Sequence, residues 1–196
     1  MMKKLLQTSC RSEQFISSDI APTENTDVVC DAQDLPFSDL EFNLVAAFDV
    51  MEHIPNTDQF LSEVGRVLKD DGYIAMSIPF MYGKHDHQDF YRWTTQGVEK
   101  VLGDHGFKVV LLRKNGGIFS TIISLFSQYI YHRTAPSGIG WRASKLTEKM
   151  YFLILKVVLF PLDVLSWFAY ILDFLVDNDS ANPGGLILVA QKVSDA

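Results

Sequence analysis

Three acidic residues close short apolar runs in the first quarter of the chain. Asp19 lies in the run 14–20 (QFISSDI), Asp31 follows 27–30 (DVVC), and Asp49 follows Phe42–Phe48 (FNLVAAF). A carboxylate at a strand end can accept hydrogen bonds from a ligand's hydroxyl or amino groups, or cap the next turn. Glu52 and His53 come next, an acid beside an imidazole able to take up a proton near neutral pH. Further on, His85, His87 and Asp89 alternate, with Tyr82 and Arg92 on either side. On a strand the alternating three would share one face, and two His with one Asp form a facial-triad ligand set. The same stretch reads as a pocket wall anchored by Tyr82, Asp89 and Arg92, or as a loop braced by an Asp89–Arg92 ion pair. Cys10 and Cys30 have neither a disulfide framework nor zinc spacing, and are expected to be reduced thiols.

Those side chains need elements to position them. Asn56 and Thr57 are N-cap candidates for a helix whose face is Phe60, Leu61, Val64, Val67 and Leu68. Asp70-Asp71-Gly72 is expected to end it, with the glycine in the left-handed exit. Residues 73–79 (YIAMSIP) read as a strand, 95–105 as a helix closed by Gly106, and 107–112 (FKVVLL) as a strand before the turn Asn115-Gly116-Gly117. A last strand is expected at 186–190 (LILVA). Strand–helix alternation with short loops implies an α/β sheet with parallel strands. In such a sheet the ligand crevice lies beyond the carboxyl ends of the strands, where the three acids fall.

The chain has 196 residues, 47% hydrophobic, with a net charge of -7. That length fits one domain with an appendage. The acidic balance argues against a nucleic-acid partner held by phosphate neutralisation. The charge is uneven. Residues 1–118 hold 11 Lys/Arg against 18 Asp/Glu, whereas Arg133, Arg142, Lys145, Lys149 and Lys156 are opposed before Asp163 only by Glu148. The start has a basic pair, Lys3-Lys4, but Gln7, Thr8 and Ser9 interrupt any apolar core, so no signal peptide is expected and the location is expected to be cytoplasmic.

Residues 15–118 resemble the class I S-adenosylmethionine-dependent methyltransferases, specifically the type 11 small-molecule group. The matching stretches are FISSDI (15–20), CDAQDLPF (30–37), FNLVAAFDVMEHIPN (42–56), EVGRVLKDDGYIAMSIPF (63–80) and HGFKVV (105–110). The run HDHQDFYRWT (85–94) is similar to a segment of one subgroup. The resemblance implies a Rossmann-like sheet, S-adenosylmethionine as cofactor and a small or lipid-like acceptor. It implies that Asp19, with Ile20, meets the cofactor's ribose, and that Asp31 and Ala32 meet its adenine. It also implies that Phe48 and Asp49 face its methionine end. His53 is the candidate base, and Tyr82, His85, Asp89 and Arg92 line the acceptor side. No metal ligand is expected.

The family's first strand and glycine-rich loop find no counterpart here. In the family's strand order, 3-2-1-4-5-7-6, that strand is central. Its neighbours are therefore expected either to close up directly or to flank a gap, the chain then being a fragment of a longer protein or a non-catalytic relative. The core is expected at 1–118, an apolar helical insertion at 119–181, and the last strand and tail at 182–196. In the insertion, Lys156, Asp163, Ser166, Tyr170, Asp173 and Asp177 fall on one narrow helical stripe and the rest is apolar. Pro161 is expected to kink or split that helix. The apolar surface of 119–178 is expected to meet a membrane surface, a second copy in a homodimer, or the sheet itself.

Overall fold

The structure, a computed structural model, describes residues 15–84, 86–134, 146–176 and 183–193. Two sheets form. Strands β1 (Ser18–Asp19) and β2 (Val28–Val29) pair in parallel as a two-stranded sheet. Strands β3 (Phe42–Phe48), β4 (Leu68–Pro79), β5 (Phe107–Asn115) and β6 (Gly185–Lys192) form a second sheet in the order β3-β4-β6-β5. In it β3 and β4 are parallel, and β6 runs antiparallel to both its neighbours. The strands flanking the expected gap do not close up. Among the described residues, β1 pairs only with β2, and β3 only with β4.

The run expected as a strand over 14–20 shortens to two residues, and 27–30 shortens likewise. The cause is local. The Ser17 carbonyl accepts N–H groups from both Asp27 and Val28, at 2.8 and 3.1 Å, and the Ser17 N–H donates to Asp27 Oδ2 at 2.9 Å. Ser17 is thus bound in a turn-like clasp that leaves only two residues for the ladder.

Helix α1 (Thr57–Val67) begins where its signals place it, with Asn56 Oδ1 accepting the Gln59 N–H at 3.2 Å. It ends differently from expectation. Leu68 already has extended backbone and opens β4. The left-handed residue is Asp71, at φ 61°, and not Gly72. Asp71 lies where four residues of β4 are looped out between the Phe42–Leu68 and Leu44–Tyr73 pairs. Gly72 is required for space: a Cβ there would sit 2.8 Å from the Lys69 carbonyl oxygen and 3.3 Å from that of Asn43. Helix α2 (Thr95–Asp104) is capped by Thr94 and followed by Gly106 at φ 75°.

Alternation along the strands puts one sheet face into the core. Ile74, Met76, Ile78, Leu186, Leu188 and Ala190 pack with Phe60, Leu61 and Val64 of α1 and Val98 and Leu102 of α2. Helices α3 (Ile118–Thr134) and α4 (Leu146–Val176) follow β5. They pack chiefly on each other rather than on the sheet. Pro161 does not split α4, which runs as one helix through it. The ring removes one backbone donor, and the remaining hydrogen bonds of a long helix carry the chain past the defect.

Candidate functional site at the strand ends

The carboxyl ends of β1 and β2 are tied together. The Cys30 N–H donates to the Asp19 carbonyl at 3.0 Å, which sets Asp31 beside Asp19 at the same end of the small sheet. Both carboxylates are exposed. Asp19 Oδ1 accepts the Ala21 N–H at 3.0 Å, and Asp31 Oδ1 accepts the Gln33 N–H at 2.9 Å. Each acid is thus held by the backbone two residues on, an arrangement that fixes its direction while it remains in contact with solvent. Ile20 is 70% exposed next to Asp19, whereas Ala32 packs against the core. Burial pushes the thiol of Cys30 up, so it stays protonated, a property of a quiet thiol. Cys10 lies outside the described residues.

Gln33 connects this end to α1. Its Oε1 accepts the Asn56 N–H at 3.1 Å, and its carbonyl accepts from Gln59 Nε2 at 2.9 Å. Arg66 of α1 then clasps the rest of the loop. It donates to the Leu35 and Phe37 carbonyls at 2.9 and 2.8 Å, to Asp39 at 2.8 Å, and by a two-pronged fork to Glu63. The hydrogen bonds from Arg66 hold the Glu63 carboxyl below its ordinary value against the opposing effect of burial. Residue type alone points to neither Gln33 nor Arg66. Gln33 accepts from Asn56 and Gln59, and Arg66 donates to the Leu35 and Phe37 carbonyls, partners far away in sequence that spacing does not reveal.

At the end of β3, Phe48 is half-buried and Asp49 takes the left-handed conformation at φ 52°. The Asp49 N–H donates to the Ser77 carbonyl at 3.0 Å, and Ser77 Oγ donates to Asp49 Oδ1 at 2.8 Å. Neighbouring β4 therefore holds both backbone and carboxylate. A 3₁₀ turn, Met51–His53, follows. Glu52 is fully buried, and its carbonyl accepts the Phe90 N–H at 2.8 Å. His53 Nδ1 is hydrogen-bonded to the Gln88 carbonyl. A carbonyl only accepts, so that bond places the proton on Nδ1 and leaves Nε2 with its lone pair. Nε2 lies 3.7 Å from Glu52 Oε1.

The segment 80–94 lies against this turn. Tyr91 donates its hydroxyl to the Pro55 carbonyl at 2.9 Å. Arg92 forks onto Asp89, with Nη2 to Oδ2 at 2.7 Å and Nη1 to Oδ1. Its other N–H groups reach the carbonyls of Tyr82, Tyr91 and Gly83 at 3.2, 2.8 and 3.2 Å. All five guanidinium donors are thereby used. The Asp89 hydrogen bonds raise Arg92 further above its ordinary value against burial, with Glu52 adding to the field, so the guanidinium stays charged. This is the geometry of the bracing ion pair. Tyr82 and His87 are exposed, and His85 lies outside the described residues. Among the described residues, no three His, Cys, Asp or Glu side chains converge as a metal site would need.

One further anchor joins this segment to the helices. The Gly83 N–H donates to Gln128 Oε1 of α3 at 3.1 Å. A second anchor holds the helices together. Asp173 of α4 is buried, and its carboxylate accepts N–H groups of Gly117, Phe119 and Ser120 at 3.0, 2.9 and 2.9 Å. It caps the start of α3 from 53–56 residues away in sequence. Gly117 makes that approach possible, since a Cβ there would stand 2.6 Å from the Asp173 carboxylate. An acid in a long apolar helix, after a Gly-Gly turn, was the available signal.

Residues 4–76 match a family model described as a methyltransferase domain. That span begins before the resemblance noted from residue 15 and stops within β4. Among solved structures, a candidate methyltransferase from Bacillus halodurans C-125 superposes with a TM-score of 0.54 at 16% identity, covering 91% of this chain and 81% of that one. The [4+2]-cyclase SpnF gives 0.52 at 18% identity, with 88% of this chain covered and 58% of that chain. A candidate sarcosine dimethylglycine methyltransferase from Galdieria sulphuraria gives 0.50 at 14% identity, with 91% and 69% covered. The chain thus spans little more than half the length of SpnF. At such identities the structures establish a shared fold, and a cyclase among them shows that the fold alone does not set the reaction. Residues 4–76 thus match a methyltransferase domain, consistent with the type 11 group of class I S-adenosylmethionine-dependent methyltransferases, and the chain shares a Rossmann-like fold with these structures.

Proposed function

We propose that the protein transfers a methyl group from S-adenosylmethionine to a small or lipid-like acceptor at a membrane surface, on the cytoplasmic side. The observation that carries this reading is the set of polar groups at the carboxyl ends of β1, β2 and β3, with Gln33 joining the β2 end to the start of α1 and Ser77 of β4 holding Asp49. Their chemistry fits the cofactor. Asp19 and Asp31 offer exposed carboxylates suited to ribose hydroxyls and an adenine amino group, and Phe48 and Asp49 offer an aromatic ring and an acid toward the methionine end. Bound there, the sulfonium supplies an already activated methyl group.

The chain's own work is then positioning and proton handling. Ser77 holds Asp49, and the Gln88 carbonyl sets the His53 ring so that Nε2 is the basic atom. An acceptor hydroxyl or amine beside His53 would lose its proton to Nε2. Glu52, 3.7 Å away, would stabilise the imidazolium that forms. Tyr82 is the exposed polar side chain for the acceptor, while Asp89 and Arg92 shape the wall behind it. The sheet core at 1–118 and 182–196 carries this site, and the insertion at 119–181 brings the acceptor to it.

The experiment is transfer of labelled methyl from S-adenosylmethionine into small-molecule and lipid fractions. His53→Gln should lower the rate about 100-fold, the lower end of general-base contributions, and leave cofactor affinity unchanged. Absence of label in every fraction from a protein that binds the cofactor would remove the reading. One observation favours a second reading, a non-catalytic binding or scaffold subunit. The edges of β1 and β3 that should enclose the cofactor are not joined by a strand among the described residues. That reading requires no cofactor binding and a stable protein partner.

A further inference from the structure

Helices α3 and α4 leave many large apolar side chains exposed. On α3, Thr121 is 2% exposed, and half-buried Ser124 and Gln128 are hydrogen-bonded at 3.2 Å. Phe126 and Tyr129 are 54% and 61% exposed. On α4, Ala169 and Asp173 are buried and Ser166 is half-buried, while Trp167 and Phe174 are 62% and 72% exposed. Of the polar stripe read from the sequence, Asp173 turns onto the start of α3 and Ser166 is half-buried, whereas Tyr170 is 54% exposed. A helix pair facing water keeps its large apolar residues inward and its polar residues outside. Large apolar residues left on the outside of a helix pair suit a surrounding medium of hydrocarbon. A groove of about 310 Å³ between the helices has Ile122, Leu165, Phe168 and Leu172 among its lining residues.

Charge decides between a bilayer and a second copy of the chain. The end of α3 carries Arg133, and the start of α4 carries Lys149 and Lys156 against Glu148 alone, within a chain of net charge -7. Two copies meeting here would oppose like charges. An anionic headgroup layer complements them, at about 1 kcal/mol per basic residue near the surface. No helix of the described residues is long and apolar enough to cross a membrane.

We infer that the α3–α4 pair docks into one leaflet of an anionic bilayer, with Phe126, Tyr129, Trp167 and Phe174 among the acyl chains and the groove open to one chain. This deepens the membrane part of the proposed function and does not depend on methyl transfer. Through the Gln128–Gly83 bond, the docked helices would also fix the 80–94 segment relative to the surface.

The test uses the full chain, without cofactor, and vesicles of phosphatidylcholine with or without phosphatidylglycerol. Partitioning should be about tenfold stronger onto the anionic vesicles, and salt should weaken it. Brominated lipid should quench tryptophan emission, and Trp167→Phe should remove most of that quenching while vesicle binding persists. The exposed pair Trp167→Glu with Phe174→Glu should reduce partitioning about tenfold or more with an unchanged circular dichroism spectrum. Two results would overturn the inference: no partitioning onto either vesicle, or a lipid-free dimer that the double substitution breaks while partitioning is unaffected. A parallel titration with S-adenosylmethionine, free of lipid, reports separately on the methyltransferase reading.

Discussion

Asp173→Ala should destabilise the α3–α4 pair by about 3 kcal/mol, because it strips a buried carboxylate from the N–H groups of Phe119 and Ser120 and weakens the hold on Gly117. Gly117 retains a contact to Ser120 Oγ at 3.2 Å, so the loss falls mainly on the other two. The helices pack chiefly on each other, so the sheet should survive. Far-ultraviolet circular dichroism should then show an early, partial loss of helix before the main transition. Asp173→Asn should recover part of the loss, since its amide oxygen still accepts. The pH dependence follows from the same contacts. Burial opposes ionisation of Asp173, but the Ser120 hydroxyl and three backbone N–H groups outweigh it and lower the carboxyl below its ordinary value of 3.8. A lowered folded-state value means the stabilisation is full above pH 3.8 and is lost as pH falls through the lower folded value. The helix pair should loosen there in the native chain, and Asp173→Asn should lack that acid step.

Leu188→Ala should cost about 3–4 kcal/mol, and it should act on the whole sheet. Leu188 is fully buried on β6, with Met76 of β4 on one side and Leu112 of β5 on the other. Removing its side chain leaves a cavity bounded by a sheet that cannot collapse around it. Urea denaturation should show a lower midpoint for a single main transition, with no early loss of helix. The two substitutions therefore separate the elements. One loosens the helix pair ahead of the sheet, and the other weakens the sheet on which Asp49, Glu52 and His53 stand.

What was legible in the sequence was what local chemistry determines. The nearly all-apolar run Phe42–Phe48 is a strand to the residue, and Asn56 caps the helix that follows it. The acids at the ends of β1, β2 and β3 lie at strand ends because polar groups are excluded from the sheet interior. What was not legible depended on partners distant in sequence. Gly72 looks like a helix exit until Asn43 and Lys69 are seen to crowd it. The strand over 14–20 looks long until Ser17 is seen to be engaged by Asp27 and Val28. The polar stripe of α4 was visible as a stripe, but its direction was not. The contacts with the start of α3 show that Asp173 faces inward, whereas Tyr170 of the same stripe is exposed. Arg92 offered the same ambiguity, resolved by counting five donors against five acceptors.

Calorimetric titration of the full chain with S-adenosylmethionine tests the strand-end site most directly. A saturable heat for one site is expected, weakened about tenfold by Asp19→Ala and by Asp31→Ala, each worth one charge-assisted hydrogen bond of roughly 1.5 kcal/mol. Because both side chains are exposed, neither variant should change the thermal midpoint appreciably. A folded chain that gives no heat, or binding that both substitutions leave untouched, would contradict the strand-end site.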